Sequence, residues 1–277
     1  MIKIGFIDYY LDEWHANNYP AWIREASGGE MVVAYAYGMI KSPISGMTTE
    51  QWCEKYGIEK CETIEEVIEK SDVLTVLSPD NCEMHEELCQ MPLRSGKPVY
   101  VDKTFAPDKA TAVRIMELAE KHGTPCYSTS ALRFAEEYKA IDCDGILMIN
   151  SWGPGNFDTY SVHQLEPIVM LMKGKAKRVL CNKGQKWLNM TVEFEDGRVA
   201  TLSQMEAGAP FMMNICSVKG NKVVNVQSDF FKAFIKELVS FYRTGIVPVP
   251  HEETVEIMAI REKGLLALET PGEWVYL

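Results

Sequence analysis

The sequence predicts an α/β chain in two domains. A doubly wound parallel sheet comes first, then an α+β domain with an open, mostly antiparallel sheet. Three observations carry this. Short apolar runs alternate with helix-like segments as far as about residue 128. Beyond it the strand-like runs alternate apolar and polar residues, which suits strands with one wet face. A length of 277 residues with 47% hydrophobic content is enough for two medium cores. The domains are placed at 1–127 and 128–277.

The first strand is "IKIGFID", a buried apolar run. "YPAWIREAS" is read as a helix starting after Pro20 and stopped by the following glycines. "EMVVAYAYG" is the second strand. "TTEQWCEKYG" and "TIEEVIEKS" are helices with threonine caps. "DVLTVLS" is the third strand, "EMHEELCQMPLRSG" a helix, and "PVYVDK" the fourth strand. In "APDKATAVRIMELAEKHG" Asp108 caps a helix, Val113, Met116 and Ala119 recur at helical spacing, and Gly123 closes it. "PCYSTS" is the fifth strand. In the second half Leu188, Met190, Val192 and Phe194 face one way, before a hairpin at Asp196–Gly197. A second hairpin is expected to turn at Gly220–Asn221. Two helices follow, the first with an apolar stripe at Phe231, Phe234, Ile235, Leu238 and Phe241.

The net charge of −11 argues against a nucleic-acid surface or an anionic membrane surface. No apolar run approaches the roughly 20 residues that span a bilayer. The eight cysteines form no disulfide-like framework, and no secretory pattern opens the chain, so a cytoplasmic protein is expected. Cys82, His85 and Cys89 share a helical face and read as packing, with no metal expected.

From Asp72 the chain reads "DVLTVLSPDNCEMHEELCQMPLRSGKPVYVDKTF", then "AEKHGTPCYSTSALRF". This resembles the glucose–fructose oxidoreductase / inositol dehydrogenase (Gfo/Idh/MocA) family. Ser78–Pro79–Asp80 is similar to the family's Thr-Pro-Asn, and His85 to the histidine opening the next helix. Asp102–Lys103–Thr104 is similar to its Glu-Lys-Pro. "TYSVHQLE" resembles the family's Asp-x-Gly-x-His-x-x-Asp, with His163 and Glu166 at the later positions. Pro167 is read as belonging to a first helical turn, so that this helix starts after His163.

The resemblance implies a Rossmann-like first domain and an NAD(P)-dependent oxidoreductase acting on a sugar- or polyol-like carbinol. Lys103 and His163 would handle the hydroxyl proton and Glu166 would orient or bind. Asp8, Tyr10, Tyr37, Ser78, Pro79, His85 and Asp102 would lie around NAD or NADP. A small-molecule substrate is implied. A homodimer or homotetramer through the second domain's sheet is also expected, because an exposed apolar face needs covering.

One stretch departs from the pattern. Asp8, Tyr10 and Glu13 stand where the three fingerprint glycines belong, and Tyr37 stands where an acid should hold the ribose. A second reading follows: a non-redox descendant that keeps the scaffold, binds a small metabolite or a partner, and holds no cofactor. Lyase or hydrolase chemistry is a third, with no nucleophile motif behind it.

Overall fold

The computed structural model describes residues 1–206 and 208–277. They divide into two compact units. The first is Met1–Thr129 with Phe234–His251; the second is Ser130–Ala233 with Glu252–Leu277.

The first unit is built on six parallel strands in the order β3-β2-β1-β4-β5-β6. These are β1 Ile2–Asp8, β2 Met31–Gly38, β3 Glu59–Lys60, β4 Val73–Val76, β5 Val99–Val101 and β6 Cys126–Tyr127. Chain order reverses between β1 and β4, the point at which sheets of this kind bind ligands beyond their carboxyl ends. The helices are α1 Trp14–Ala26, α2 Thr49–Tyr56, α3 Ile64–Lys70, α4 His85–Cys89 and α5 Lys109–His122. Gly5 lets α3 lie close on β1: a Cβ there would stand 2.4 Å from Val67 Cγ1 and Ser71 Oγ.

Several expectations change here. β3 is a two-residue strand that the sequence reading passes over. α1 begins at Trp14 and carries Pro20 inside it, rather than starting after it. Its buried face of His15, Ala16, Tyr19 and Ile23, and its cap at Glu13, outweigh the one amide that proline removes. The expected helix after β4 is broken into a 3₁₀ turn at Cys82–Met84, α4, and a 3₁₀ turn at Pro92–Arg94. The buried stripe of α5 runs through Ala112, Ile115, Met116 and Ala119, with Val113 only partly covered.

The second unit holds a seven-stranded sheet in the order β12-β11-β7-β10-β9-β8-β13. Its strands are β7 Ile146–Pro154, β8 Ala176–Lys183, β9 Trp187–Phe194, β10 Val199–Met205, β11 Met212–Ser217, β12 Gly220–Asn225 and β13 Trp274–Tyr276. Only β7 and β10 pair in parallel; the other neighbours are antiparallel. Met190, Val192 and Phe194 are buried as the alternation predicts. The turn between β11 and β12 falls at Val218–Lys219, two residues before the expected position, because Ser217 pairs with Gly220.

The helices of this half are α6 Glu136–Lys139, α7 Phe157–Met172, α8 Phe230–Thr244 and α9 His251–Ala267. Most of α8 returns to the first unit. There Phe234 packs on Tyr19 and Tyr100, Phe241 packs on Tyr127, and the Tyr242 hydroxyl lies 2.6 Å from Thr75 Oγ1. Phe234, Ile235, Leu238 and Phe241 are core, as their spacing indicates, and the core they join is that of the parallel sheet; Phe231 is only partly buried and belongs to the second unit. No helix among the described residues is long and apolar enough to cross a membrane.

Candidate functional site

In the first unit the carboxyl ends of β1, β4 and β5 bring together residues that are far apart in sequence. β1 ends at Asp8, and five residues later Glu13 caps α1. The Glu13 carboxylate accepts from the His15 amide at 2.7 Å through one oxygen and from the Ala16 amide through the other. These are first-turn donors that an α-helix leaves without intrahelical partners. β5 ends at Asp102, which is fully buried. It meets the His15 ring through Oδ2. It accepts from the Tyr100 hydroxyl and the Lys103 amide through Oδ1, both at 2.9 Å.

Three buried carboxyl groups thus stand near one another, and they do not ionise alike. Burial pushes Asp8 well above the usual carboxylate range, and the Glu13 charge adds to it. Burial and Asp102 raise Glu13 to about 8. Burial also acts upward on Asp102, but the charge and hydrogen bond of His15 outweigh it and hold that carboxyl below its ordinary value. Tyr10, also buried, is pushed up to about 12 by burial and by Asp80. Asp8 Oδ1 accepts from the Tyr10 amide at 3.3 Å; its Oδ2 is buried with no hydrogen-bond partner.

The other residues expected around a cofactor take different places. Tyr37 is partly exposed near the end of β2. Ser78 follows β4 with φ of 78°, rare for a residue with a Cβ, and its hydroxyl donates to the Asn81 carbonyl at 3.1 Å. Pro79 is buried beside it. His85 has no exposed surface. Its ring nitrogens lie on the carbonyls of Phe105, at 2.9 Å, and Leu77. It ties two main-chain segments together and offers no atom to a cofactor, which corrects the expectation for it. Lys103 is partly exposed and joined to Thr104 by a cis peptide.

His163 and Glu166 lie in the second unit, on α7. That helix starts at Phe157 with Asn156 as its cap, so it contains His163 and carries Pro167 in its interior. The expected start after His163 is therefore corrected. Asn156 caps the first turn and Leu165, Ile168 and Val169 bury the middle, which holds the helix through the proline. His163 Nδ1 lies 2.7 Å from Ser130 Oγ, with its ring edge-on to Tyr160 and Phe211. Glu166 is buried. It accepts from the Ser130 amide at 3.2 Å and from Arg133 at 3.1 Å, and Arg133 also meets Glu253 at 2.5 Å. Glu166 thus fixes the segment whose hydroxyl meets His163.

The six-stranded order and the reversal at β1/β4 define the first unit as a Rossmann-type domain. Residues 23–130 match the family described as "Oxidoreductase family, NAD-binding Rossmann fold" (GFO_IDH_MocA). Over that region the chain is similar to the Rossmann domain of that family. The match begins inside α1, beyond Asp8, Tyr10 and Glu13. No curated protein matches the chain in sequence. Among solved structures, scyllo-inositol dehydrogenase from Lactobacillus casei, with bound NAD(H) and scyllo-inositol, aligns at TM-score 0.80 and 14% identity. The alignment covers 99% of this chain and 98% of that one. Myo-inositol 2-dehydrogenase from Lactobacillus plantarum aligns at 0.79 and 14%, over 100% of this chain and 99% of that one. The whole chain therefore shares the fold of these two inositol dehydrogenases.

That fold implies a dinucleotide, and the residues present do not fit one at α1. A pyrophosphate needs the first-turn amides and room for close backbone approach. Here Glu13 takes two of those amides, and Asp8 and Tyr10 put buried side chains where glycines belong. Among the described residues, no group of three or more His, Cys, Asp or Glu side chains is arranged to hold a metal ion.

Proposed function

We propose that this chain keeps the Gfo/Idh/MocA-type scaffold to bind a small polyhydroxylated metabolite at the strand ends of its first unit. No dinucleotide is held by α1. The observation that carries the reading is the Glu13 carboxylate seated on the amides of His15 and Ala16. Two further features support it. The second oxygen of Asp8 is buried and unpartnered at the point of chain reversal. Lys103 is a partly exposed donor one residue beyond the charged Asp102. Carboxyl groups and an ammonium suit hydroxyl-rich ligands better than a diphosphate, for which the helix amides and the space are already taken by Glu13, Asp8 and Tyr10.

The match over residues 23–130 favours a second reading, an NAD(P)-dependent oxidoreductase acting on a sugar- or polyol-like carbinol. In it Lys103 is the first unit's proton-handling residue, and within the second unit Glu166 positions the Ser130 segment that meets His163.

Calorimetric titration with cyclic polyols and sugars, with no nucleotide present, separates the two. The first reading expects saturable binding that Lys103→Met abolishes. Binding that appears only after NADH or NADPH is added would overturn it in favour of the second.

The second unit's sheet supports self-association. Trp152 on β7 and Val223 on β12 are exposed, and with Thr201 and Met212 they border a hollow of about 500 Å³ on one sheet face. A homodimer through that face is expected, in the cytoplasm. Trp152→Glu should then shift the sedimentation coefficient toward that of the monomer.

A further inference from the structure

The start of α7 borders a cavity of about 550 Å³ that lies wholly within the second unit. That volume is in the range of small-molecule sites. Asn156 caps the helix by accepting from the Thr159 amide at 3.0 Å. The amides before it belong to the first turn, whose donors have no intrahelical partner. The hairpin of β8 and β9 contributes Lys183, Lys186 and Trp187, all exposed. Asp158 and Glu206 also border the cavity, but Asp158 is held by Arg261.

Gln204, on β10, lines the cavity and is only 1% exposed. Neither its amide nitrogen nor its amide oxygen has a hydrogen-bond partner. A buried carboxamide with both ends unmet is destabilising and rare, and it calls for a reason. Both atoms are closed off in this structure, and a turn of the side chain into the cavity would present a donor and an acceptor side by side. Trp187 is 52% exposed on the same cavity and presents a flat apolar surface of the kind that covers a ring. The helix start and the two lysines favour an anion.

We propose that this cavity is a second ligand site, distinct from the strand ends of the first unit, for a small cyclic polyol bearing one anionic group. Gln204 takes paired hydroxyls, Trp187 covers a ring face, and the start of α7 with Lys183 and Lys186 receives the phosphate or carboxylate.

The test titrates the full chain carrying Lys103→Met, in which the first unit's site is disabled, by calorimetry with glucose 6-phosphate, glucuronate and glucose. Saturable binding of the phosphate alone, the carboxylate alone, or both supports the proposal and identifies the anion. Glucose should bind more weakly than either. Gln204→Met should weaken binding about tenfold or more, as for an interaction with a buried amide. Trp187→Ala, an exposed change that leaves the core alone, should weaken it about fivefold. Binding in the Lys103→Met background separates this site from the first unit's, and Gln204→Met and Trp187→Ala are compared in the same background. Without ligand, Gln204→Met should raise Tm by about 2–4 °C, because it removes unmet polar atoms. No saturation by either anion up to about 20 mM would overturn the proposal. So would binding that survives both Gln204→Met and Trp187→Ala, or glucose binding as tightly as the anions.

Discussion

Two helices of this molecule begin at functional-looking positions, and they begin differently. α1 follows the first parallel strand, and its first turn is filled by its own chain: Glu13 sits on the amides, with His15 and Asp102 behind it. α7 follows β7 and has the neutral cap Asn156 beside a cavity. The difference shows how a fold can keep a ligand-binding position and alter what it accepts. A helix start attracts an anion only while its donors face outward. At α1 the Glu13 carboxyl group occupies those donors, and the buried Asp8 and Tyr10 fill the space beside it. At α7 the cap is neutral, and the acid of the first turn, Asp158, is held by Arg261.

This contrast can be broken at several points. The largest effect is expected where the filled end is braced. Removing one partner of the buried His15–Asp102 pair leaves a charge without its counterpart. His15→Ala should cost about 3–5 kcal/mol in chemical denaturation. A loss below about 1 kcal/mol, the range of exposed pairs, would mean that the brace is not a buried charge pair.

The caps come next. Asn156→Ala should cost about 1 kcal/mol and Glu13→Ala up to about 2 kcal/mol, because Glu13 meets two amides in a buried setting. The reverse order would remove the distinction between the two helix starts.

A pH series sharpens the same point. The folded state raises Glu13 from 4.5 to about 8, so it holds a proton that the unfolded chain releases. The associated stability is full below 4.5 and is lost as pH rises through about 8. Tm should fall across that window, and Glu13→Gln should flatten the fall. A rise in Tm with pH that depends on Glu13 would contradict the assignment.

The smallest effect belongs to the open end. Trp187→Ala should change stability by less than about 0.5 kcal/mol, since the ring lies on the surface. A larger loss would show that Trp187 is part of the packing.

Much of this was legible in the sequence, for identifiable reasons. β1, β2, β4 and β5 are buried apolar runs, and α5 has both caps written in its sequence at Asp108 and Gly123. Lys103 and Asp102 are found through the motif after β5. Other parts were not legible. β7 and β8 lack clean alternation, and β3 has only two residues. Pro20 and Pro167 read as helix boundaries because the lost amide is visible in sequence, whereas the packing that outweighs it is not. His15 and Asp102 are 87 residues apart, and no local pattern announces their pairing. The unmet amide of Gln204 looks in sequence like any polar residue in an alternating strand.

The central claim is that Glu13, with Asp8 and Tyr10, has closed α1 to a dinucleotide. Titrating the unaltered protein with NADH and NADPH, followed by nicotinamide fluorescence and by heat, tests it most directly. The account predicts no saturable binding at millimolar nucleotide. Saturable binding of either at micromolar concentration would contradict it.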